Sequence, residues 1–238
     1  MPAKPSLARR LATATRWPLG VALTSWRYLW RTTPLYRDEV EGDPEDDAPP
    51  PWPVDLERSG VQGHEDGAGP LFRRRYRVRI QGSDLAPEEL VDRVAAEPDA
   101  VAPSEFATFQ KMRGEPDQMR VNDEYRVRMA GPWDGPVRVA KRERGMFRLV
   151  TLDGHLEAGQ IEFRADEEDE LVVFEIESWA RSSDRLTDVL YDRLRMSKEV
   201  QLHMWTSTLE RVAKLSGGRV TGGVEIHTRR IGADAVAH

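Results

Sequence analysis

Between Ser183 and Leu215 the chain runs without a proline or a glycine, opening on Ser183 and Asp184 and stopping at Gly217 and Gly218. Ser and Asp are good helix starters, and glycine is the usual left-handed terminator. Leu186, Val189, Leu190, Leu194, Val200, Met204, Thr208, Val212 and Leu215 recur inside it at mostly three- and four-residue intervals, the signature of a helix with an apolar side. A helix of that length spans roughly 45 Å at 1.5 Å per residue and needs a broad apolar surface to lie against. The residues before it are the only candidate for that surface.

From Leu71 to Arg181 the pattern changes to alternation. Tyr76, Val78 and Ile80 alternate with Arg75, Arg77 and Arg79, giving a strand with one apolar and one basic face. Pro87 to Ala96 reads as a helix, with Leu90, Val91 and Val94 to bury and Pro98 to end it. Short strands follow at Phe106 and Phe109, at Tyr125 to Met129, from Val137 and Val139, at Met146 to Leu152 and around Ile161 and Phe163, and the last runs from Leu171 to Arg181. Sequential hairpins followed by one long helix predict an α+β domain, a curved antiparallel sheet of about seven strands gripping its C-terminal helix.

Charge divides the chain into parts. Residues 1–37 hold seven Lys and Arg and no acid; residues 38–70 hold eleven acids and one Arg; the remainder is close to neutral. The first part interleaves Arg with Leu and Trp and is broken by Pro18 and Gly20, which predicts a helical N-terminal extension. Two readings follow for Trp17, Trp26 and Trp30: contact with an anionic membrane surface, or docking on protein. No run is long and apolar enough to span a bilayer, and no cleavable signal is recognisable, so the expected location is the cytoplasm, peripheral to the inner membrane only on the first of these readings. Residues 38–70, with six Pro and five Gly, read as a flexible acidic linker; 71–232 form the domain, and 233–238 a disordered tail. The chain has no cysteine, so disulfides and thiolate chemistry are excluded.

The stretch Thr151-Leu152-Asp153-Gly154-His155-Leu156-Glu157-Ala158-Gly159-Gln160-Ile161-Glu162-Phe163 resembles the Gly-His-Pro-Glu-x-Gly loop of a family of unknown function found in actinobacteria and plants. That family belongs to the START-like, polyketide-cyclase-like helix-grip superfamily. Phe174-Glu175-Ile176-Glu177-Ser178-Trp179-Ala180-Arg181 is similar to its Phe-Glu-Ile-Arg-x-Phe-Ser-Arg strand, and Leu156 stands where the family usually has Pro. The resemblance implies that the first and last strands lie side by side, with Arg75, Arg77 and Arg79 facing Glu175 and Glu177. It also implies a small hydrophobic ligand held between sheet and helix. On that reading Phe106, Phe109, Tyr125, Val127, Phe147 and Phe163 line a cavity from the middle strands. Phe174 and Ile176 line it from the last strand, and Tyr191 and Met204 from the helix. Each of these is equally a core residue by pattern alone.

His155 and Glu157 are the sharpest chemical candidates, an acid/base pair at a cavity mouth in a cyclase- or hydrolase-type enzyme, or else side chains that hold the hairpin by bonding its backbone. His203 and Glu199 have i, i+4 spacing but lack a third ligand, so no metal and no cofactor is expected. Basic residues between 71 and 148 are nearly matched by acids, which argues against a nucleic-acid partner. A third reading is a solid-core structural module with no cavity.

Overall fold

The computed structural model describes residues 33–104, 107–129, 134–183 and 196–232. Among these residues nine strands form one sheet in the spatial order β1-β9-β2-β8-β7-β6-β5-β4-β3. They are β1 (Leu35–Glu41), β2 (Ala68–Gln81), β3 (Ala107–Arg113), β4 (Glu124–Met129), β5 (Asp134–Glu143), β6 (Met146–Thr151), β7 (Glu157–Glu168), β8 (Leu171–Ser182) and β9 (Arg219–Ile231). Helices α1 (Pro87–Ala96) and α2 (Pro98–Val101) follow β2, and α3 (Met196–Leu215) separates β8 from β9. Neighbouring strands pair antiparallel except β1 with β9, which run parallel.

Local chemistry accounts for these boundaries. In β2, Tyr76, Val78 and Ile80 are buried on one face, so the alternate residues Arg75, Arg77 and Arg79 must face the other way. Arg75 sits opposite Glu177, and Arg77 opposite Glu175, in the β2–β8 register, so opposite charges face one another across the strands. Helix α1 has Pro87 in its first turn, and Ala86 N–H donates to the Glu89 carboxylate at 3.1 Å. Helix α3 stops at Leu215, and Gly217 follows with φ 78, where a Cβ would meet Asp84 Oδ2 at 2.0 Å.

One core holds the molecule together. The inner residues of β2, β4 to β9, α1 and α3 meet in a single cluster, in which Leu90, Val139, Phe174, Ile176, Leu209 and Val212 are fully buried. Helix α3 lies over β2, β8 and β9 and touches α1 and α2 on its other flank. This is the sheet-on-helix arrangement that the resemblance implies. Its buried residues include Leu202, Thr206, Leu209, Val212 and Ala213, and the Thr206 hydroxyl donates to Leu202 O at 2.7 Å. Met204 and Leu215, expected on the buried stripe, are only half-buried. Leu186, Val189, Leu190 and Leu194 lie outside the described residues.

The sheet departs from the expected seven antiparallel strands at one edge. The tail after α3 is a strand, β9, inserted between β1 and β2, and residues 35–41 add β1 beyond it. Gly222 and Gly223 have φ 73 and 88 and fall where the β2–β9 register jumps, forming a bulge inside a continuing strand. Acidic β1 is matched to basic β9: Asp38 bonds His227 and lies 3.8 Å from Arg229, and Glu41 lies 3.3 Å from Arg230.

The acidic stretch also differs from the expected flexible spacer. After β1 it runs as a strap over the outer face of the sheet, where Trp52, Leu56 and Val61 pack on Ala140 and Val150. Proline-rich chain is short of N–H groups and long on carbonyls, and the outer face supplies donors to them. Gln160 Nε2 donates to Pro50 O at 2.8 Å, Arg148 to Pro51 O at 3.4 Å and Arg138 to Ser59 O at 2.8 Å. Asp47 is buried and accepts from Arg73 at 2.8 Å. Composition suggested solvation; the basic face beneath supplies the partners that composition alone does not reveal.

Candidate functional site

The inner face turns polar at one end. Residues sharing the parity of Tyr76, Val78 and Ile80 continue to Arg74 on β2, and cross-strand pairing puts Thr228 of β9 beside Arg74 and Ile226 beside Tyr76. Arg37 and Glu39 of β1 sit opposite Ile226 and Thr228. Together with Leu202 of α3 these residues line a cavity of ≈ 210 Å³. Its floor is apolar (Tyr76, Ile226, Leu202), Arg74 is buried in its wall, and Arg37, Asp38 and Glu39 stand at its charged rim.

Arg74 is buried, and its guanidinium stacks 4.5 Å from the Phe72 ring centroid. Tyr76 is buried too, and that desolvation pushes its hydroxyl up to about 12; Arg74 and Arg37 pull it down and Glu157 pushes it further up. These charges therefore act on one site.

His155 and Glu157 belong to the β6–β7 connection. His155 Nδ1 lies 2.9 Å from Glu157 N and 3.0 Å from Glu157 O, so the backbone of the loop holds this ring nitrogen. Burial holds the ring below the usual histidine pKa, partly offset by the nearby Glu157. Gln62 of the strap clamps the loop, its Nε2 donating to His155 O at 3.0 Å and to Glu157 O at 2.9 Å. The Thr151 hydroxyl donates to Gln62 O at 2.7 Å. Gly159 closes the loop at φ 156, where a Cβ would stand 2.0 Å from Trp179 O. In this geometry Nδ1 is spent on the loop backbone, which is the hairpin-holding arrangement.

Of the residues expected to line a cavity, Tyr125, Phe147, Phe163, Phe174 and Ile176 are buried in the main core, with Phe109 and Val127 packed at its margin. Phe147 stacks on Phe163 with centroids 4.6 Å apart, and Trp205 of α3 meets Phe163 edge-on at 5.8 Å. Met204 is half-buried on α3. None of these lines the ≈ 210 Å³ cavity, whose apolar walls are Tyr76, Ile226 and Leu202 instead. Phe106 and Tyr191, and Trp17, Trp26 and Trp30 of the basic leader, lie outside the described residues. The signal that could have found the site is Arg74 itself, a charge in the apolar register of β2.

A second polar constellation occupies the outer face. Glu162, Glu175 and Glu177 are buried among arginines. Arg148 pairs with Glu162 at 2.8 Å, Arg73 with Glu177 at 2.7 Å, and Arg164 reaches all three acids. Burial pushes the Glu175 carboxyl up, against the pull of Arg164. A larger hollow of ≈ 390 Å³ lies between the start of α1 and the β6–β7 strands, but its walls carry charges already paired, Glu88 with Arg144 and Glu162 with Arg164. Among the described residues no group of three His, Asp or Glu side chains could hold a metal ion, and no helix is long and apolar enough to cross a membrane.

The chain is similar to several solved structures over part of its length. Norcoclaurine synthase from Thalictrum flavum, solved with dopamine and hydroxybenzaldehyde, matches with a TM-score of 0.45 at 6% identity, covering 64% of this chain and 89% of that one. The major latex-like protein 151 from Panax ginseng matches at 0.42 and 13% identity, covering 61% and 97%. The hypothetical protein jhp0584 from Helicobacter pylori matches at 0.45 and 9%, covering 60% and 86%. Likeness at that level says nothing of ligand or reaction. No curated protein matches the chain. The family model described as "Domain of unknown function (DUF1990)" matches residues 42–211, taking in the acidic strap together with β2 to β8 and most of α3, and the chain belongs to that family.

Proposed function

We propose that the domain binds a small, largely apolar molecule in the cavity between α3 and the β1–β9–β2 edge of the sheet. The observation that carries this reading is the ≈ 210 Å³ space walled by Leu202, Tyr76 and Ile226 beside an otherwise close-packed core. A concave, partly open space of this size, with buried apolar side chains at its floor and polar groups at its rim, suits a ligand. It is below the roughly 300 to 1,000 Å³ of pockets for drug-sized molecules, which points to a compact ligand. An empty apolar cavity of about 150 Å³ accepts benzene, so one ring and a substituent set the scale.

The reading is binding rather than turnover, because the one histidine at the β6–β7 connection commits its Nδ1 to Glu157 N–H. Native mass spectrometry of the full chain purified from its own host tests it. A small-molecule adduct that is lost in Thr228→Trp, which fills the cavity from its rim, supports the proposal. An adduct kept by that variant, or repeated absence of any adduct, counts against it.

A further inference from the structure

We propose that the occupant of this cavity is a small monocarboxylate, an aromatic or short branched acid whose carboxylate is held by Arg74 and whose apolar body lies against Tyr76, Leu202 and Ile226. The inference rests on the binding reading above and adds the ligand's charge and class.

Its basis is the unequal treatment of arginines along β2. Arg73, Arg75, Arg77 and Arg79, on the outer face, each meet at least one carboxylate. Arg74 points inward and is 8% exposed. Its guanidinium lies on the face of Phe72 and acts electrostatically on Tyr76, and among the described residues it has no ion pair with a carboxylate. Arg37 and Glu39, which share the cavity wall, have partners of their own. A guanidinium on a largely buried side chain that faces the cavity and has no carboxylate partner suits a planar carboxylate, which it holds through two parallel hydrogen bonds.

Two further groups fit the same headgroup. The Tyr76 hydroxyl belongs to a side chain 3% exposed in the cavity wall, and Thr228 stands directly across the ladder from Arg74. Both line the cavity and both can donate to a carboxylate oxygen. Charge limits the headgroup to one negative unit. Asp38 and Glu39 also line the cavity and Glu157 acts on Tyr76, so a dianion such as a phosphate monoester meets about twice the repulsion that a carboxylate meets. The volume restricts the body to about one ring.

Isothermal titration of the full chain with benzoate, benzyl alcohol and phenyl phosphate tests the inference. Benzoate is expected to bind at least about tenfold tighter than benzyl alcohol, with phenyl phosphate weaker than benzoate. Arg74→Met should bring benzoate down to the level of benzyl alcohol, and Arg74→Lys should fall between. Raising salt should weaken benzoate alone. If Arg74→Met fails to fold, the wild-type preference and Arg74→Lys decide. Equal binding of benzoate and benzyl alcohol overturns the anion inference and leaves the binding reading standing; tighter phenyl phosphate overturns the carboxylate class; no binding of any probe overturns both.

Discussion

Gly159 shows how a single residue fixes the shape of the β6–β7 loop. A Cβ there would lie 2.0 Å from Trp179 O and 2.9 Å from Ala180 Cα, both backbone atoms of the adjacent strand that cannot swing aside. Gly159→Ala should therefore cost about 3 kcal/mol or more, read as a loss of chemical-denaturation stability. His155 carries a pH signature. Its native pKa is lowered by burial, so the unfolded chain binds the proton more readily than the fold does. The stability it contributes is complete above the unfolded value of about 6.5 and is lost as the pH falls below it. His64, also lowered chiefly by burial, acts in the same direction. Glu175, raised by burial, acts in the opposite sense, favouring the fold in acid and losing that contribution as the pH rises through its native value. Thermal unfolding of His155→Asn, whose amide oxygen can accept Glu157 N–H as Nδ1 does, should match wild type near pH 7.5 and fall less steeply toward pH 5. An unchanged slope would mean that His155 is not a source of the acid loss. At this scale the sequence carries the signal: the parity that sends Arg75, Arg77 and Arg79 outward places Arg74 inward by the same count.

Among the elements, the strap and the outer face depend on each other. Arg148 and Glu162 have side chains 7% and 8% exposed, so each desolvated charge needs the other. Arg148→Met should destabilise the protein by about 3 kcal/mol, since it leaves Glu162 with Arg164 alone and removes the donor to Pro51 O. Arg148→Met with Glu162→Met together should recover most of that loss, as apolar pairs of similar volume often replace buried ion pairs at little cost. Equal destabilisation by the single and double variants, measured by denaturant unfolding, would show that the pair adds little coupling. The hairpin strands, α1 and the end of α3 were legible because period and terminators agree there. The elements that were not, β1, β9 and the strap, take their stability from partners remote in sequence. β1 alone reads as an acidic segment, and becomes a strand because His227, Arg229 and Arg230 of β9 face its acids. The strap reads as linker because its carbonyls find Arg138, Arg148 and Gln160 only after the sheet has formed.

For the whole molecule, the helix-over-sheet architecture followed from one long unbroken helical stretch behind a series of hairpins, whereas the cavity did not follow. Its position depends on β9 returning after α3 to pair with β2, which places Ile226 and Thr228 beside Tyr76 and Arg74. The aromatic residues chosen by pattern fill the centre of the core, and the free space lies at the edge that the late strands complete. The central claim is that this edge space receives an apolar ligand. Titration of methyl-labelled full chain with benzyl alcohol, followed by NMR, tests it most directly. Saturable shifts at the methyls of Leu202, Ile226 and Thr228, abolished in Thr228→Trp, are the predicted result. Shifts centred instead on the Val139 and Leu209 methyls of the main core, or none anywhere, would contradict it.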